Sequence, residues 1–241
     1  MAISLQNRKN QRTSFKAIPI AAVKTNINNI SKEIQLYKLT PDDIPFAKKM
    51  TSKIKMQKLC PDEKNTRCFK EWKSIICNAV KNIQYENNVV ILATQDKRPC
   101  GIISYMNSAL NSFFVESLAT WPIKPNQKVK MSGKALMRNL LKDAISKNKE
   151  RIWLMPSEIT PGGKSCMDFY ERLGFGFDGC YMALDGGKTQ FSKRAAQLDN
   201  NFKYNEIKNG KKTKLSSILT LTFDDTQLEK IGKKIKETFK Q

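Results

Sequence analysis

The order of apolar patterns along this chain predicts a mixed α/β (α+β) fold, with helices flanking a central, mixed and mostly antiparallel sheet. Three consecutive strand signals at 88–94, 100–107 and 113–120 predict an antiparallel meander. Two amphipathic helical patterns precede them, and a helix, a short strand, a second helix and a further strand follow in α/β alternation. At 241 residues, with 40% apolar and 27% charged side chains, one domain with extensions is the natural size class.

Residues 1–32 contain no Asp or Glu and carry Arg8, Lys9, Arg12, Lys16, Lys24 and Lys32 among Ser, Thr, Asn and Gln. A basic, disordered extension is expected there, as a plain tail, a transit peptide or a signal for specialised secretion. The folded domain is expected over 33–184, opening on a short strand marked by Ile34, Leu36 and Leu39. Thr40-Pro41-Asp42-Asp43 then supplies an N-cap, a proline at the first helical position and an acid in the first turn of a helix running to about Lys58. Between 66 and 84, Phe69, Trp72, Ile76, Ala79, Val80 and Ile83 recur at the spacing of one apolar helix face. Gln95-Asp96-Lys97-Arg98-Pro99 separates the first two meander strands, and Trp121-Pro122 ends the third. Helices at 133–147 and 165–173 enclose a strand at 150–155, and a strand at 179–184 closes the set. Residues 185–241 are expected to pack on the same domain as a polar loop to 211, a strand over Leu215 to Phe223 and a lysine-rich C-terminal helix striped by Leu228, Ile231, Ile235 and Phe239.

The formal charge of +21 predicts attraction to something anionic: nucleic acid, an acidic protein, a membrane face or a phosphorylated cofactor. A lysine-rich solvated surface is the plainer alternative. With no histidine, the chain has no Ser-His or Cys-His dyad and no histidine base, so proton transfer falls to carboxylate, tyrosine, lysine, cysteine or water. No metal cofactor is expected. Six cysteines without a Cys-x-x-Cys pair indicate free thiols and a reducing compartment, hence a cytoplasmic protein, with export by a specialised system as the alternative. No apolar run is long enough for a membrane span.

Two segments carry chemistry. A diphosphate needs several N–H donors aimed at one place, and the first turn of a helix offers unpaired donors at its positive dipole end. Lys130-Met131-Ser132-Gly133-Lys134-Ala135 opens the helix at 133–147, where Gly133 lets backbone approach closely and Ala135 keeps that approach clear. Lys124, Lys128 and Lys130 add charge suited to phosphate or to solvent, and Ser132 equally fits a simple N-cap. The second segment, Met167 to Phe177, follows a short capping box of Ser165 and Asp168, with Phe169, Leu173 and Phe175 facing a core and Gly174 ending the helix.

Together these segments resemble the two cofactor motifs of the GNAT superfamily of acetyl-CoA-dependent N-acetyltransferases: a Gln/Arg-x-x-Gly-x-Gly/Ala turn, here with Lys130 first, and a Phe-Tyr-x-x-x-Gly-Phe segment, here Phe169 to Phe175. The resemblance covers about residues 34–184 and implies a GNAT-like sheet split near the cofactor. It places Leu118, Ala119 and Thr120 against the pantetheine amides, and Lys128, Lys130, Met131, Ser132, Gly133, Lys134 and Ala135 around the phosphates. It puts the Tyr170 hydroxyl beside the acetyl-CoA sulfur as catalytic acid, where the plain reading is a half-buried aromatic. Gly163 and Cys166 depart from the Asn and Ala that family members often carry.

Acylation needs a neutral amine, and a lysine-like acceptor with a pKa of about 10.4 arrives protonated. Glu116 is the leading candidate base, because strict alternation puts it on one face with Leu118 and Thr120. It also fits a surface glutamate, and Glu158 and Asp178 are lesser candidates. The sequence therefore predicts an acyltransferase moving acetyl from acetyl-CoA to a primary amine, by direct transfer, on an anionic macromolecule such as an acidic protein or an aminoacyl-tRNA. The alternatives are a non-catalytic GNAT-like basic module that binds nucleic acid or a partner protein, and an exported effector acetyltransferase.

Overall fold

The computed structural model describes residues 17–27, 30–52, 66–120, 131–157 and 166–211. Its elements are β1 (Ile18–Ile27), β2 (Ile30–Lys38), α1 (Ile44–Ser52), α2 (Thr66–Asn82), β3 (Asn88–Gln95), β4 (Arg98–Ser108), β5 (Ser112–Thr120), α3 (Ser132–Ser146), β6 (Arg151–Leu154), α4 (Met167–Arg172), β7 (Gly176–Asp178), β8 (Tyr181–Asp185), α5 (Gly187–Asp199) and β9 (Lys203–Glu206). The strands form one sheet in the order β7-β8-β6-β5-β4-β3-β2-β1-β9. Only β5 and β6 pair parallel; every other neighbouring pair is antiparallel.

The expected meander is present, with tight connections. Gln95 pairs with Arg98 across Asp96 and Lys97, whose positive φ of 49° and 61° suits a two-residue hairpin turn. Ahead of α1, the Asp43 carboxylate accepts from the Thr40 N–H at 2.8 Å and from the Thr40 hydroxyl at 3.0 Å. A short 3-10 turn, Pro41–Asp43, follows with proline in its first positions.

Each sheet face carries its own core. On one, α1 and α2 place Met50, Phe69, Trp72, Ile76 and Val80 against Val90, Leu92 and Ile102. The apolar positions expected for the second helix, from Phe69 to Ile83, are all buried. On the other, Leu136, Leu140 and Leu141 of α3 and Phe191, Ala195 and Leu198 of α5 pack over Ile34, Leu36, Ile91, Ile103 and Phe113. There the Tyr105 hydroxyl donates to Asp143 at 2.9 Å, which satisfies a fully buried phenol.

Two expectations are corrected. Residues 18–27 are not part of a disordered extension: β1 pairs with β2 from Ile18 to Ile27 and buries Ala21 and Val23. Small apolar residues supply that inward face, so composition alone hides it. Residues 185–211 are not a polar loop, because α5 buries Phe191, Ala195 and Leu198 at helical spacing and β9 adds an edge strand on β1. The sheet also gains a strand not named in the sequence analysis, since Gly176–Asp178 forms β7 on β8. Residues 1–16, the helical run expected beyond Ser52, the strand at 215–223 and the C-terminal helix lie outside the described residues.

The added elements are fastened to α3. Arg138 donates from Nε and Nη2 to the two Asp199 carboxylate oxygens at 2.9 and 2.8 Å, and its guanidinium lies 4.6 Å from the Tyr204 ring centre. The Tyr204 hydroxyl donates to Asn139 at 2.7 Å, and Lys142 pairs with Glu206 at 2.8 Å. Bidentate geometry and the stacked ring make this stronger than a lone surface pair.

Phe191 is fully buried on α5. Phe191→Ala is expected to lower unfolding stability by about 3–5 kcal/mol in urea titrations, the range for truncating a core aromatic. A loss near zero would return 187–199 to a solvated loop.

Candidate functional site

The site begins where β5 loses a neighbour. Ser112 to Val115 pair with Arg151 to Leu154 of β6, while on its other edge β5 stays paired with β4 out to Thr120, opposite Gly101. Among the described residues, the stretch from Glu116 to Thr120 therefore pairs on one side only, and the sheet is split there. Its free backbone groups need partners. One is supplied: the Trp72 indole N–H donates to the Thr120 carbonyl at 3.2 Å.

A β-bulge sits at the parting. Ser104 pairs with Ser117 and Tyr105 with Val115, leaving Glu116 as the extra residue. The bulge corrects the expectation that Glu116 shares a face with Leu118 and Thr120. The side chain turns toward α2, where Glu116 Oε2 accepts from Asn82 Nδ2 at 2.8 Å and from Asn88 Nδ2 at 2.7 Å. Asn82 also reaches Ser104 Oγ at 3.0 Å. Leu118 packs on the α3 side and Ala119 on the α2 side. Burial raises the Glu116 carboxyl above the ordinary carboxylate range, and the Asn88 hydrogen bond opposes that shift.

Helix α3 begins beside the split end of β5. Met131 holds a left-handed conformation, φ 76°, and the first helical hydrogen bond runs from the Ala135 N–H to the Met131 carbonyl at 2.8 Å. The N–H groups before Ala135 thus have no helical carbonyl to meet. Ser132 is the first residue of the helix and is 1% exposed, so Met131 and not Ser132 occupies the cap position. A β-carbon at position 133 would lie 3.5 Å from both Thr120 Cγ2 and Phe169 Cζ, in ordinary contact. The three segments singled out in the sequence therefore meet at Gly133. Beneath them Gly101 is tighter: a β-carbon there would lie 3.0 Å from Leu136 Cδ1 and 3.2 Å from the Ala119 carbonyl.

Helix α4 brings Tyr170 next to this junction. Its ring packs 5.2 Å from Phe169 and 5.8 Å from Phe175, centre to centre, and is 8% exposed. Burial, with a smaller effect of Cys166, pushes the phenol well above its ordinary value, so it keeps its proton through neutral pH. The Cys166 thiol donates to the Ser157 carbonyl at 2.6 Å. Asp178, a lesser candidate base, is an ion-pair partner of Arg151 at the β7 edge. Lys124, Lys128, Lys130, Glu158, Gly163 and Ser165 lie outside the described residues. Among the described residues, no group of three or more Cys, Asp or Glu is arranged to hold a metal, and no helix is long and apolar enough to cross a membrane.

Sequence reasoning missed Trp72 and the two asparagines at Glu116. Trp72 lies on the expected apolar face of α2, which masks its polar end. Asn82 and Asn88 flank the turn after that helix, where asparagine is common for reasons of turn geometry alone.

A family model described as "Acetyltransferase (GNAT) family" matches residues 56–175. Among solved structures, the chain is similar to the PaiA N-acetyltransferase of Thermoplasma acidophilum in complex with coenzyme A, at 19% identity over 64% of this chain and 99% of that one, with a TM-score of 0.44. The ribosomal-protein-S18-alanine N-acetyltransferase of Escherichia coli is similar at 17% identity, 63% and 93% coverage and a TM-score of 0.42. The aminoglycoside 6'-N-acetyltransferase of Enterococcus faecium is similar at 13% identity, 62% and 96% coverage and a TM-score of 0.41. No curated protein matches the chain.

The two glycines near the start of α3 differ in available space. Gly101→Val is expected to destabilise the fold by about 1–3 kcal/mol, the usual range for overpacking. Gly133→Ala is expected to fold with near-native stability. Thermal melts of both variants check the contrast, and equal melting temperatures would contradict the packing described.

Proposed function

Because this chain belongs to the GNAT family and is an acetyl-CoA-dependent N-acetyltransferase, we propose that it transfers the acetyl group to a primary amine of an anionic macromolecule, using Glu116 as base and Tyr170 as acid. The observation that carries the catalytic assignment is the split of β5 from β6, beside which α3, α4 and the Glu116 bulge converge. The cosubstrate, when bound, supplies an activated thioester.

The residues fit that group. The backbone N–H groups of Gly133 and Lys134, ahead of the first helical hydrogen bond, face a diphosphate at the positive end of α3, with Ser132 beside them, Ala135 leaving the approach clear, Met131 setting the entry and Lys128 and Lys130 adding charge. Leu118, Ala119 and Thr120 offer free strand backbone to the pantetheine amides. Approach of the cofactor from the α3 side leaves the α2 side, where Glu116 lies, for the amine.

Glu116 takes a proton from the incoming ammonium, directly or through water, so that the amine nitrogen can attack the thioester carbonyl. Its raised carboxyl brings it closer to a working base than an ordinary glutamate. Tyr170 holds its proton and donates it to the sulfur as the C–S bond breaks, and the second proton released by the nitrogen as the amide forms returns to the phenolate. The acceptor assignment rests on the net charge of +21, which favours a polyanion and repels a polycation. We place the reaction in the cytoplasm, consistent with the free thiols of Cys68, Cys77, Cys100, Cys166 and Cys180.

Tyr170→Phe is expected to lower kcat with acetyl-CoA affinity nearly unchanged, measured by single-turnover transfer and calorimetry; an undiminished rate removes the acid. Glu116→Gln is expected to lower kcat by about 10²-fold or more. In the parent enzyme the unprotonated base is lost as pH falls through the raised carboxyl value, so the acid limb of the rate profile should stand above the ordinary carboxylate range and vanish in Glu116→Gln.

Labelled acetyl-CoA offered with an acidic polypeptide, an aminoacyl-tRNA or an aminoglycoside tests the acceptor. Transfer to a polyanion that falls steeply with salt is expected. Faster, salt-insensitive transfer to the aminoglycoside would overturn the polyanion assignment.

A further inference from the structure

A row of side chains crosses the sheet on the face that carries Glu116. Asn88 pairs with Met106, Met106 with Phe114, Phe114 with Trp153, Trp153 with Ala183 and Ala183 with Gly176, and residues opposite one another in a sheet share a face. Ile152 and Leu154, on either side of Trp153, belong to the opposite core under α3 and α5. Glu116 is tied to this row, because Asn88 Nδ2 donates to its Oε2 at 2.7 Å.

The core beneath α1 and α2 takes its strand residues from β2, β3, β4 and β5. Among the described residues, Phe114, Trp153 and Tyr181 belong to neither core, and Met155, two residues past Trp153, is 58% exposed. The Phe114 and Trp153 rings lie 4.3 Å apart, centre to centre, and Tyr181 stands edge-on to Trp153 at 5.0 Å. The indole is fixed: its N–H donates to Ser112 Oγ at 3.2 Å, and that hydroxyl donates in turn to the Ala109 carbonyl at 2.6 Å. Past Trp153 the row drops to Ala183 and Gly176, and a β-carbon at 176 would meet nothing within 4 Å. Fixed rings that end in such a step suit a large apolar side chain.

Charge at the rim narrows what bears that side chain. A stacking surface for nucleic acid interleaves its rings with cations that meet phosphates. Here Arg151, two residues from Trp153, is outnumbered by its partners Asp178 and Asp185, which would repel phosphates. Of an acidic protein and an aminoacyl-tRNA, the protein is favoured. The spacing narrows the amine as well, since Phe114 is two residues from Glu116, about 7 Å along a strand. An amine held at Glu116 with its apolar neighbour on these rings has a short arm. An α-amine meets that condition, whereas a lysine amine stands at the end of a four-carbon stem. With a pKa of about 7.7–8.0, roughly one α-amine in ten is neutral at pH 7, against about one lysine amine in 2,500.

We propose that the acceptor is the α-amine of a polypeptide that begins with a large apolar residue, whose side chain rests on Phe114, Trp153 and Tyr181 while the amine reaches Glu116. The proposal rests on the transferase reading above, with Glu116 as base, and adds to it the type of amine and the group beside it. The bond changes are those already given: the N–C bond forms, the C–S bond breaks, and the thiol and the acetylated amine leave. Phe114, Trp153 and Tyr181 act on specificity, by positioning the acceptor.

Transfer from labelled acetyl-CoA by the full chain, to lysine-free peptides that differ only in a first residue of Phe, Leu, Ala or Asp, tests it. kcat/KM for the Phe and Leu peptides is expected to exceed that for the Ala and Asp peptides at least about tenfold, the low end for an apolar site that reads a side chain. Trp153→Ala and Tyr181→Ala should each shrink that ratio, and Trp153→Phe should keep most of it, whereas a merely structural role would lower all four rates together. Tyr181→Ala keeps the test valid if Trp153→Ala fails to fold. Equal rates on the four peptides overturn the proposal and leave the transferase reading standing, while transfer to no amine at all overturns both. Faster transfer to phenylalanyl-tRNA overturns the choice of a polypeptide, and faster transfer to a lysine in an amino-blocked peptide overturns the choice of an α-amine. A ratio undiminished in the folded variants overturns the roles of the rings.

Discussion

Strand β5 is hydrogen-bonded on both edges as far as Val115 and on one edge from Glu116 to Thr120. The constraint comes from β6, which ends at Leu154 and cannot follow β5 further. A strand edge left open in a sheet interior must find other partners. Here the bulge at Glu116 changes the phase of the side chains at the parting, and the indole of Trp72 reaches the last carbonyl. The strand therefore carries two kinds of side chain to two different faces within five residues.

That division of faces organises the chemistry. Leu118 and Thr120 turn toward α3 and α4, where Gly133 and Phe169 close on the strand end. Glu116 turns toward α2, where Asn82 and Asn88 fix one oxygen. Close approach of α3 to the sheet depends on Gly101, whose missing β-carbon makes room for Leu136 and keeps the helix start at the level of the strand end.

Much of this was legible in the sequence, for identifiable reasons. Helix α2 follows from six apolar residues at one spacing, and the meander from three β-rich runs separated by turn residues. The meeting of Thr120, Gly133 and Phe169 followed from motif resemblance and not from periodicity. What failed was what local pattern cannot encode. Glu116 was assigned by strict alternation, and a one-residue bulge reverses such an assignment without any mark of its own. Helix α5 did carry a signal, Phe191, Ala195 and Leu198 at i, i+4 and i+7, but it was diluted by lysine and glutamine. Strand β1 was hidden by its alanines and by a basic neighbourhood, although Ile27 and Ile30 bracket two asparagines, the residue type that tolerates a hairpin turn.

Strand β9 lies against β1, so residues 203–206 meet residues 21–24 across most of the described length of the chain. During synthesis the earliest strand must wait, its outer edge bare, until the last one emerges from the ribosome. Contacts so distant along the chain slow folding and leave a template for mispairing meanwhile. Lys24 puts a positive charge on the waiting edge, and Lys203 stands opposite it once β9 has paired. A charged side chain on an open strand edge guards it against association with another nascent copy.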